Sequence, residues 1–483
     1  MILKNKVSHI GGYFISTFTS SVVTFLSLPL LIRLLGSIQF GKWSLIEPLQ
    51  LLLSQSILLG IDYGIIKHVN LDKLPAYHVF SKLYKASQPL ILASLLMAFL
   101  VLRASDFTHY EIVWLLLLIY IESVSILVLS AYRAASLVQG YAIASIAKAL
   151  IFLTGLFLAT TWQNVAIDSV TDVLKWRCIA AVIAIAASLA AVMAANRKEL
   201  CAERCGEDNS WKLYKNAVTY GLPILVTGLL TMVIEYADRY ILKAYFDYVT
   251  LTQYVVYLKI ASILKPLILT PFALWWVTER FRRMEDADGG KRFFRNTAVW
   301  VLLSYLTAGG VLWFFSPWLI SWFAPGVPFR ADIVLMLIVS VIFMGMAYPL
   351  NVGLLNTGKT HLNVYGVLSG ALLHIIFCFL LIPFFGIMGA AVATTLSYLA
   401  YAASMNMMSQ RVYRVPFAYV GMLATFVVAI AWLIIINMTI RDFGVIADMG
   451  KAFLFLILLL ILTVILNFRF RFAYGNEKNE TAH

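Results

Sequence analysis

The chain has 483 residues, of which 61% are apolar and only 13% are Asp, Glu, Lys or Arg, about half the charged share of an ordinary soluble domain. Those proportions exclude a water-soluble globular protein, because too few polar residues exist to cover the surface such a chain would expose. The formal net charge is +13, and its meaning depends on where the charges lie.

A bilayer core about 30 Å thick takes roughly 20 apolar residues of helix to cross. Fourteen apolar runs of suitable character occur, near 11–32, 43–65, 87–102, 112–132, 141–161, 178–195, 217–237, 254–276, 298–319, 333–355, 362–382, 389–409, 416–437 and 452–467. The third and last are short, and Lys85, Arg103, Lys451 and Arg469 at their ends are placed to snorkel. The opening MILKNKVSHI leads into the first run with no small-residue cleavage site after it, which predicts an uncleaved signal anchor. With the N-terminus and every second loop on one side, 24 of the 37 Lys and Arg residues fall there, 10 fall opposite and 3 lie within spans. The positive-inside rule makes the rich side cytoplasmic, with both termini inside. The cytoplasmic loops then carry the whole net excess, so the charge sets orientation and gives no sign of a nucleic-acid partner.

The sixth span is followed by a polar segment, residues 196–216, which reads as a cytoplasmic linker between an N-terminal six-helix half (1–195) and a second half (217–409). Each half opens on a similar pattern. The first has a Gly-containing helix ending in Pro29, Arg33 and Gly36 and turning through Phe40-Gly41; the second has Tyr220-Gly221-Leu222-Pro223 and closes on Ala237-Asp238-Arg239-Tyr240. An even number of spans per half makes the halves parallel repeats, with the expected binding cavity between them. Residues 410–483 add two helices and a cytoplasmic tail. The predicted fold is an all-α polytopic membrane protein of about 14 transmembrane helices.

Three segments carry a family resemblance. Leu28-Pro29-Leu30-Leu31-Ile32-Arg33-Leu34-Leu35-Gly36 with Phe40-Gly41 resembles the opening of polysaccharide flippases of the multidrug/oligosaccharidyl-lipid/polysaccharide exporter superfamily. Gly221-Leu222-Pro223 followed by Asp238-Arg239-Tyr240 is similar to the same family. The most specific match is Ile382-Pro383-Phe384-Phe385-Gly386-Ile387-Met388-Gly389-Ala390-Ala391-Val392-Ala393-Thr394, with Ser397-Tyr398 beyond. The resemblance covers spans one to twelve. It implies a bacterial inner-membrane flippase moving polyprenyl-diphosphate-linked oligosaccharide units to the outer leaflet, working beside other polysaccharide assembly proteins.

Residues 353–360 read Gly-Leu-Leu-Asn-Thr-Gly-Lys-Thr, a literal match to the phosphate-binding loop. That loop works only between a strand and a helix, with a magnesium-binding carboxylate on a second strand. Here a membrane span precedes it, so the segment reads as a cytoplasmic turn with Lys359 at the headgroups. Cys178 and Cys378 fall in spans, and Cys201 and Cys205 share the linker, so no disulfide framework is implied. The residues assemble no metal site and no nucleophile triad, and they call for no cofactor.

An ionised side chain near the bilayer centre costs at least about 2.5–3.5 kcal/mol, which makes each one a functional candidate. Seven lie in the predicted spans: Glu47, Asp62, Glu122, Lys148, Glu235, Lys259 and Lys265. Lys148 and Lys265 are read as lining a water-filled, anion-attracting cavity; the competing reading for each lysine is snorkelling or pairing with Glu122. Lys265 precedes Pro266, where a broken helix hydrogen bond frees a carbonyl. Lys259, Arg33 and Arg239 are further cationic candidates near the outer surface, equally open to a purely structural role. Glu235 stands four residues before Arg239, suited to orient it on one helix face. Glu122 and Asp62 are the carboxylates to test for proton or sodium coupling, with Glu235 and Glu47 as further counter-ions. Ser16, Ser20, Thr24 and Ser27 in span one and Glu47, Gln50 and Ser54 in span two form polar stripes, the second read as a cavity wall.

The sequence reading is therefore a transporter and not an enzyme, a flippase for a lipid-linked oligosaccharide among membrane lipids. The alternatives are a drug or cation antiporter of the same superfamily, which wants an uncompensated carboxylate cavity, and a flippase for the peptidoglycan lipid precursor, suggested by the last two helices. A membrane glycosyltransferase or polymerase would need a large outer loop, and the longest outer loops, 162–177 and 238–253, are short.

Overall fold

The computed structural model describes residues 2–103, 107–161, 167–195, 210–284, 286, 290–356, 361–439 and 447–462. Most of the 196–216 linker, Cys201 and Cys205, residues 357–360 of the phosphate-loop match and the tail beyond 462 lie outside them. The described elements are all helical. They are α1 (Ile2–Ser56), α2 (Ile61–Asn70), α3 (Ala76–Leu102), α4 (His109–Ala134), α5 (Val138–Thr161), α6 (Val170–Ala195), α7 (Ser210–Tyr245) and α8 (Tyr248–Ala261). After a π-helical turn at Lys265–Leu269 come α9 (Thr270–Arg283), α10 (Lys291–Phe323), α11 (Ala331–Leu350), α12 (Val352–Asn356), α13 (His361–Val412) and α14 (Tyr419–Thr439). Residues 447–462 form a last helix.

Among the described residues, eleven helices or helix pairs are long and apolar enough to cross a membrane. Two of them carry two predicted spans each, and the helix at 447–462 overlaps the fourteenth at 452–462, so the span pattern read from hydropathy is present in the fold. The doubled helices turn at a glycine. Gly36 in α1 has φ 64° and ψ 177°, and Gly386 in α13 has φ 56° and ψ −127°. Such angles suit glycine because a Cβ would clash. The expected outer loops at 33–42 and 383–388 are thus sharp corners between helical limbs, and Phe40-Gly41 already belongs to the second limb.

The second predicted span, by contrast, is interrupted. Residues 57–60 break it between α1 and α2, with positive φ at Leu59 and Gly60. The cause lies across the contact with α7: a Cβ on Gly221 would sit 1.8 Å from the Gly60 carbonyl oxygen, and one on Gly64 would sit 2.3 Å from the Ala217 Cβ. Small residues here let two backbones touch. This gives Gly221 of the Gly-Leu-Pro motif a packing role.

The chain divides into two compact units, Met1–Thr252 and Gln253–His483. In the first, α7 packs on α1, α2 and α3, so the span that the sequence assigned to 217–409 sorts with the first six. One side chain ties two elements there: Glu111 closes a capping box with Thr108 at the start of α4 and also pairs with Lys42 of α1 at 2.8 Å. In the second unit α11 packs between α10 and α13. The last helix lays Phe455 on α10, where a Cβ on Gly310 would come within 2.0 Å of the ring. On α14 the buried residues are Thr425, Ala429, Leu433 and Ile436, a single stripe on an otherwise exposed apolar helix, as suits a lipid-facing position.

Candidate functional site

The densest intramembrane chemistry of the first unit begins with a pair on adjacent helices. Lys148 of α5 donates to both carboxylate oxygens of Glu122 on α4, at 2.9 and 3.2 Å. The two members differ in access: the Lys148 side chain is 31% exposed and that of Glu122 9%. The pairing alternative for Lys148 is therefore realised in this structure, with Lys148 the more exposed side chain of the two.

Arg177, in the first turns of α6, extends the pair into a network. Its guanidinium meets Glu47 of α1 at 3.6 Å and lies over the rings of Trp43 and Phe152 at 5.4 and 5.6 Å. It is also within electrostatic reach of Glu122. Sequence reasoning left Arg177 in an outer loop and so missed it. The available signal was an Arg next to Trp176 at the start of a span, matched by Trp43 on another, since guanidinium planes favour indole faces.

The end of α7 supplies the next members. Asp238 and Arg239 are both buried. Asp238 accepts from the Arg239 backbone N–H at 2.8 Å, and Arg239 donates to the Ser44 carbonyl oxygen at 3.3 Å with its guanidinium 4.8 Å from the Tyr236 ring centre. Tyr240 donates to the Leu45 carbonyl oxygen at 2.7 Å. These bonds fix the Asp-Arg-Tyr motif against the second limb of α1. Tyr236 lies within electrostatic reach of Glu47, Glu235, Asp238 and Arg239, which joins the motif to the Glu47–Arg177 pair. Arg239 thus takes its placement from Tyr236, Asp238 and the α1 backbone as well as from the helix it shares with Glu235.

The remaining candidates are dispersed. Arg33 is exposed on the first limb of α1. Asp62 is half-buried in the first turn of α2, facing Arg133 electrostatically. Lys259 is half-buried in the last turn of α8. Lys265 starts the π-helical turn, and the Thr270 hydroxyl donates to its carbonyl at 3.3 Å. The carbonyl that Pro266 frees is that of Ser262, four residues back, and the Lys265 backbone N–H takes it at 3.0 Å. π-Turns within helices frequently mark functional positions.

The two polar stripes resolve differently. Ser16, Ser20, Thr24 and Ser27 each donate to a carbonyl of their own helix, three or four residues back. Gln50 and Ser54 are buried and bonded to each other at 3.2 Å, and Ser123 of α4 donates to the Ser54 carbonyl oxygen at 3.0 Å. Only Glu47 of that stripe belongs to the charged network, and the other two cement α1 to α4. In the second unit His374 is fully buried with its Nδ1 3.1 Å from the Ser397 hydroxyl, a bond between the limbs of α13. The residues leading into the phosphate-loop match are helical, α11 and then α12, where a nucleotide-binding loop requires a strand.

No family model matches the sequence, and no curated protein matches it. Solved structures do. A lipid II flippase MurJ in an inward closed conformation matches at TM-score 0.69 and 13% identity, covering 94% of this chain and 98% of its own. A multidrug resistance MATE family transporter of the MOP superfamily, outward-facing, matches at TM-score 0.60 and 12% identity, covering 83% and 94%. A Vibrio cholerae MATE transporter matches at TM-score 0.56 and 14% identity, covering 84% and 95%. At such identities the likeness establishes the fold alone: an all-α polytopic membrane fold shared with these flippase and transporter structures.

Proposed function

We propose that the protein is a flippase that carries a polyprenyl-diphosphate-linked oligosaccharide from the cytoplasmic to the outer leaflet of a bacterial inner membrane. The observation that carries this reading is the Lys148–Glu122 and Arg177–Glu47 network, in which carboxylates neutralise the cations and Lys148 is the more exposed side chain of its pair. A diphosphate competes with Glu122 and Glu47 for Lys148 and Arg177, because charge-assisted bonds to either anion are of one kind. The Trp43 and Phe152 faces hold Arg177 in place while its anion is exchanged.

The balance of charge also suits a transport cycle. Two carboxylates and two cations leave the empty network formally neutral, so its return is not opposed by the membrane potential. An anionic cargo adds negative charge, on which a potential negative inside acts outward by about 2.3 kcal/mol per charge per 100 mV. A drug or cation antiporter wants a carboxylate left unneutralised, and in this network both carboxylates face cations. The coverage of 94% of the chain by the lipid II flippase favours, as a second reading, a peptidoglycan lipid precursor as cargo, which the same site chemistry serves.

The test is a strain lacking this chain, assayed for accumulated glycan-lipid and complemented with Lys148→Ala and Arg177→Ala variants at matched expression. Accumulation relieved by the wild type and by neither variant is expected. Full complementation by both removes the cationic mechanism. Normal surface glycan with altered dye resistance indicates the antiporter, and loss of viability with accumulated peptidoglycan precursor indicates the second reading.

A further inference from the structure

The sequence places Arg280, Arg282 and Arg283 beside Trp275 and Trp276 as a girdle at the membrane edge, but the geometry separates Arg280 from the other two. Arg282 and Arg283 both clamp Glu279, at 2.7 and 2.8 Å, and Arg283 also reaches Asp286 at 3.6 Å. Glu279, the carboxylate adjacent to Arg280 in sequence, is thus committed elsewhere. Arg280 is 9% exposed, and its Nε is enclosed without an acceptor. Its guanidinium lies 4.7 Å from the Phe281 ring centre, and it has no ion-pair or hydrogen-bond partner among the described residues. Burial holds its pKa below the ordinary value, with no neighbouring carboxylate pulling it back. A guanidinium stays charged regardless, so this is a buried cation with no anion among the described residues, an arrangement that is strongly unfavourable until an anion completes it.

A second donor stands on the same helix face. Trp276, four residues earlier, is 1% exposed, and its Nε1–H is enclosed with no acceptor. The ring lies among Phe272, Phe293 and Phe294, with centroids 5.4, 6.3 and 5.6 Å away. Helix α10 begins beside this cluster at Gly290 with no carboxylate in its first turn and no side-chain cap, and Lys291, Arg292 and Arg295 follow within it. Two unsatisfied donors, each donor-only, in a basic and aromatic setting at a membrane edge call for an acceptor that is anionic and arrives from the lipid.

We propose that Arg280 and Trp276 form a discrete receptor for the phosphate of an anionic lipid headgroup, on the side of the membrane that the basic excess marks as cytoplasmic. Arg280 supplies the charge and the forked donors, Trp276 supplies one further donor, and Phe272, Phe281 and Phe293 supply apolar surface for the upper part of the acyl chains. The site is independent of what the protein transports.

Native mass spectrometry of the purified full chain, with phosphatidylglycerol as probe and diacylglycerol as the uncharged control, tests the proposal. The wild type is expected to retain one phosphatidylglycerol, and Arg280→Gln to bind it about tenfold more weakly, the scale of one hydrogen bond to a charged group. Trp276→Phe keeps the ring, loses the N–H, and is expected to weaken binding about threefold; it decides the matter if Arg280→Gln does not fold. Arg282→Gln, which alters only the Glu279 clamp, is expected to match the wild type. Equal retention by wild type and a folded Arg280→Gln overturns the site. Equal loss in Arg282→Gln reduces it to a general basic girdle and overturns it too. Displacement of the lipid by millimolar inorganic pyrophosphate makes it a free-anion site and overturns the lipid assignment.

Discussion

Two regions solve the problem of charge at the membrane in opposite ways. Around α1, α4, α5 and α6 every cation of the central network faces a carboxylate within the chain: Lys148 with Glu122, Arg177 with Glu47. At the end of α9, Arg280 is as deeply covered as Glu122, yet among the described residues it faces an aromatic ring and no carboxylate. A region that neutralises itself can stand empty and exchange partners; a region that does not depends on its surroundings for an anion. The difference separates a site built for turnover from one built for retention.

The largest expected effect breaks the first of these. Glu122→Ala leaves Lys148 without its anion, and removal of one partner from a buried pair costs about 3–5 kcal/mol. Because Lys148 is 31% exposed, water recovers part of this, and a loss of about 2–3 kcal/mol is expected from unfolding in detergent. The double variant Glu122→Leu with Lys148→Met is expected to lie within about 1 kcal/mol of the wild type in stability while failing in transport. If the double variant is as unstable as the single, packing and not pairing is what Glu122 provides.

Next comes the converse at Arg280. Replacing an uncompensated buried charge by an apolar residue of similar length stabilises, so Arg280→Met is expected to gain about 1–2 kcal/mol in a detergent free of phospholipid. In phosphatidylglycerol the wild type acquires its anion and the gain disappears. A gain that persists in phosphatidylglycerol makes the two regions alike in having no external ligand at rest.

Arg177→Ala has a smaller consequence, about 1 kcal/mol, since its 3.6 Å contact with Glu47 is partly exposed on both sides and the aromatic faces contribute modestly. Its effect on transport is expected to exceed that on stability, because it removes one of two cations offered to the cargo. Equal loss of both, read from melting temperature against glycan-lipid turnover, assigns Arg177 to scaffolding.

Much of this was legible in the sequence, and the boundary has physical causes. Apolar length is a one-dimensional signal, so the spans emerged with their order. Corners such as Gly36 and Gly386 read as loops because hydropathy falls there, although one glycine with positive φ suffices to turn the helix. The seven intramembrane charges were visible because lipid makes each one costly, but partnership is three-dimensional. Glu122, on the preceding span, is legible as a partner open to Lys148, whereas Arg177 stands one residue outside an apolar run and carries no such signal. Trp276 and Arg280 were seen as a composition, and only enclosure of their donor atoms distinguishes them from Arg282, which is equally basic and well exposed.

The smallest expected effect tests how firmly α8, the helix that leads to Lys259 and the π-turn, is started. Asp247 accepts from the Thr250 backbone N–H at 2.8 Å at the head of that helix. Hydrogen bonding from Thr250, first by its side chain and then by this backbone N–H, holds its carboxyl below the ordinary value. A carboxylate whose folded pKa is depressed stabilises the fold fully above its unfolded value, about 4, and that contribution fades as pH falls through the lower folded value. Asp247→Ala is expected to cost about 0.5–1 kcal/mol at pH 7 and progressively less below pH 4, while Asp247→Asn, itself a good cap, shows little change and no such pH dependence. Should Asp247→Ala cost the same at pH 3 as at pH 7, the side chain acts through packing and the start of α8 is set by its neighbours. Lys243 settles which neighbours, because it lies 4.4 Å from the Tyr248 ring centre and within electrostatic reach of Asp247. Lys243→Gln then moves the helix start where Asp247→Asn does not.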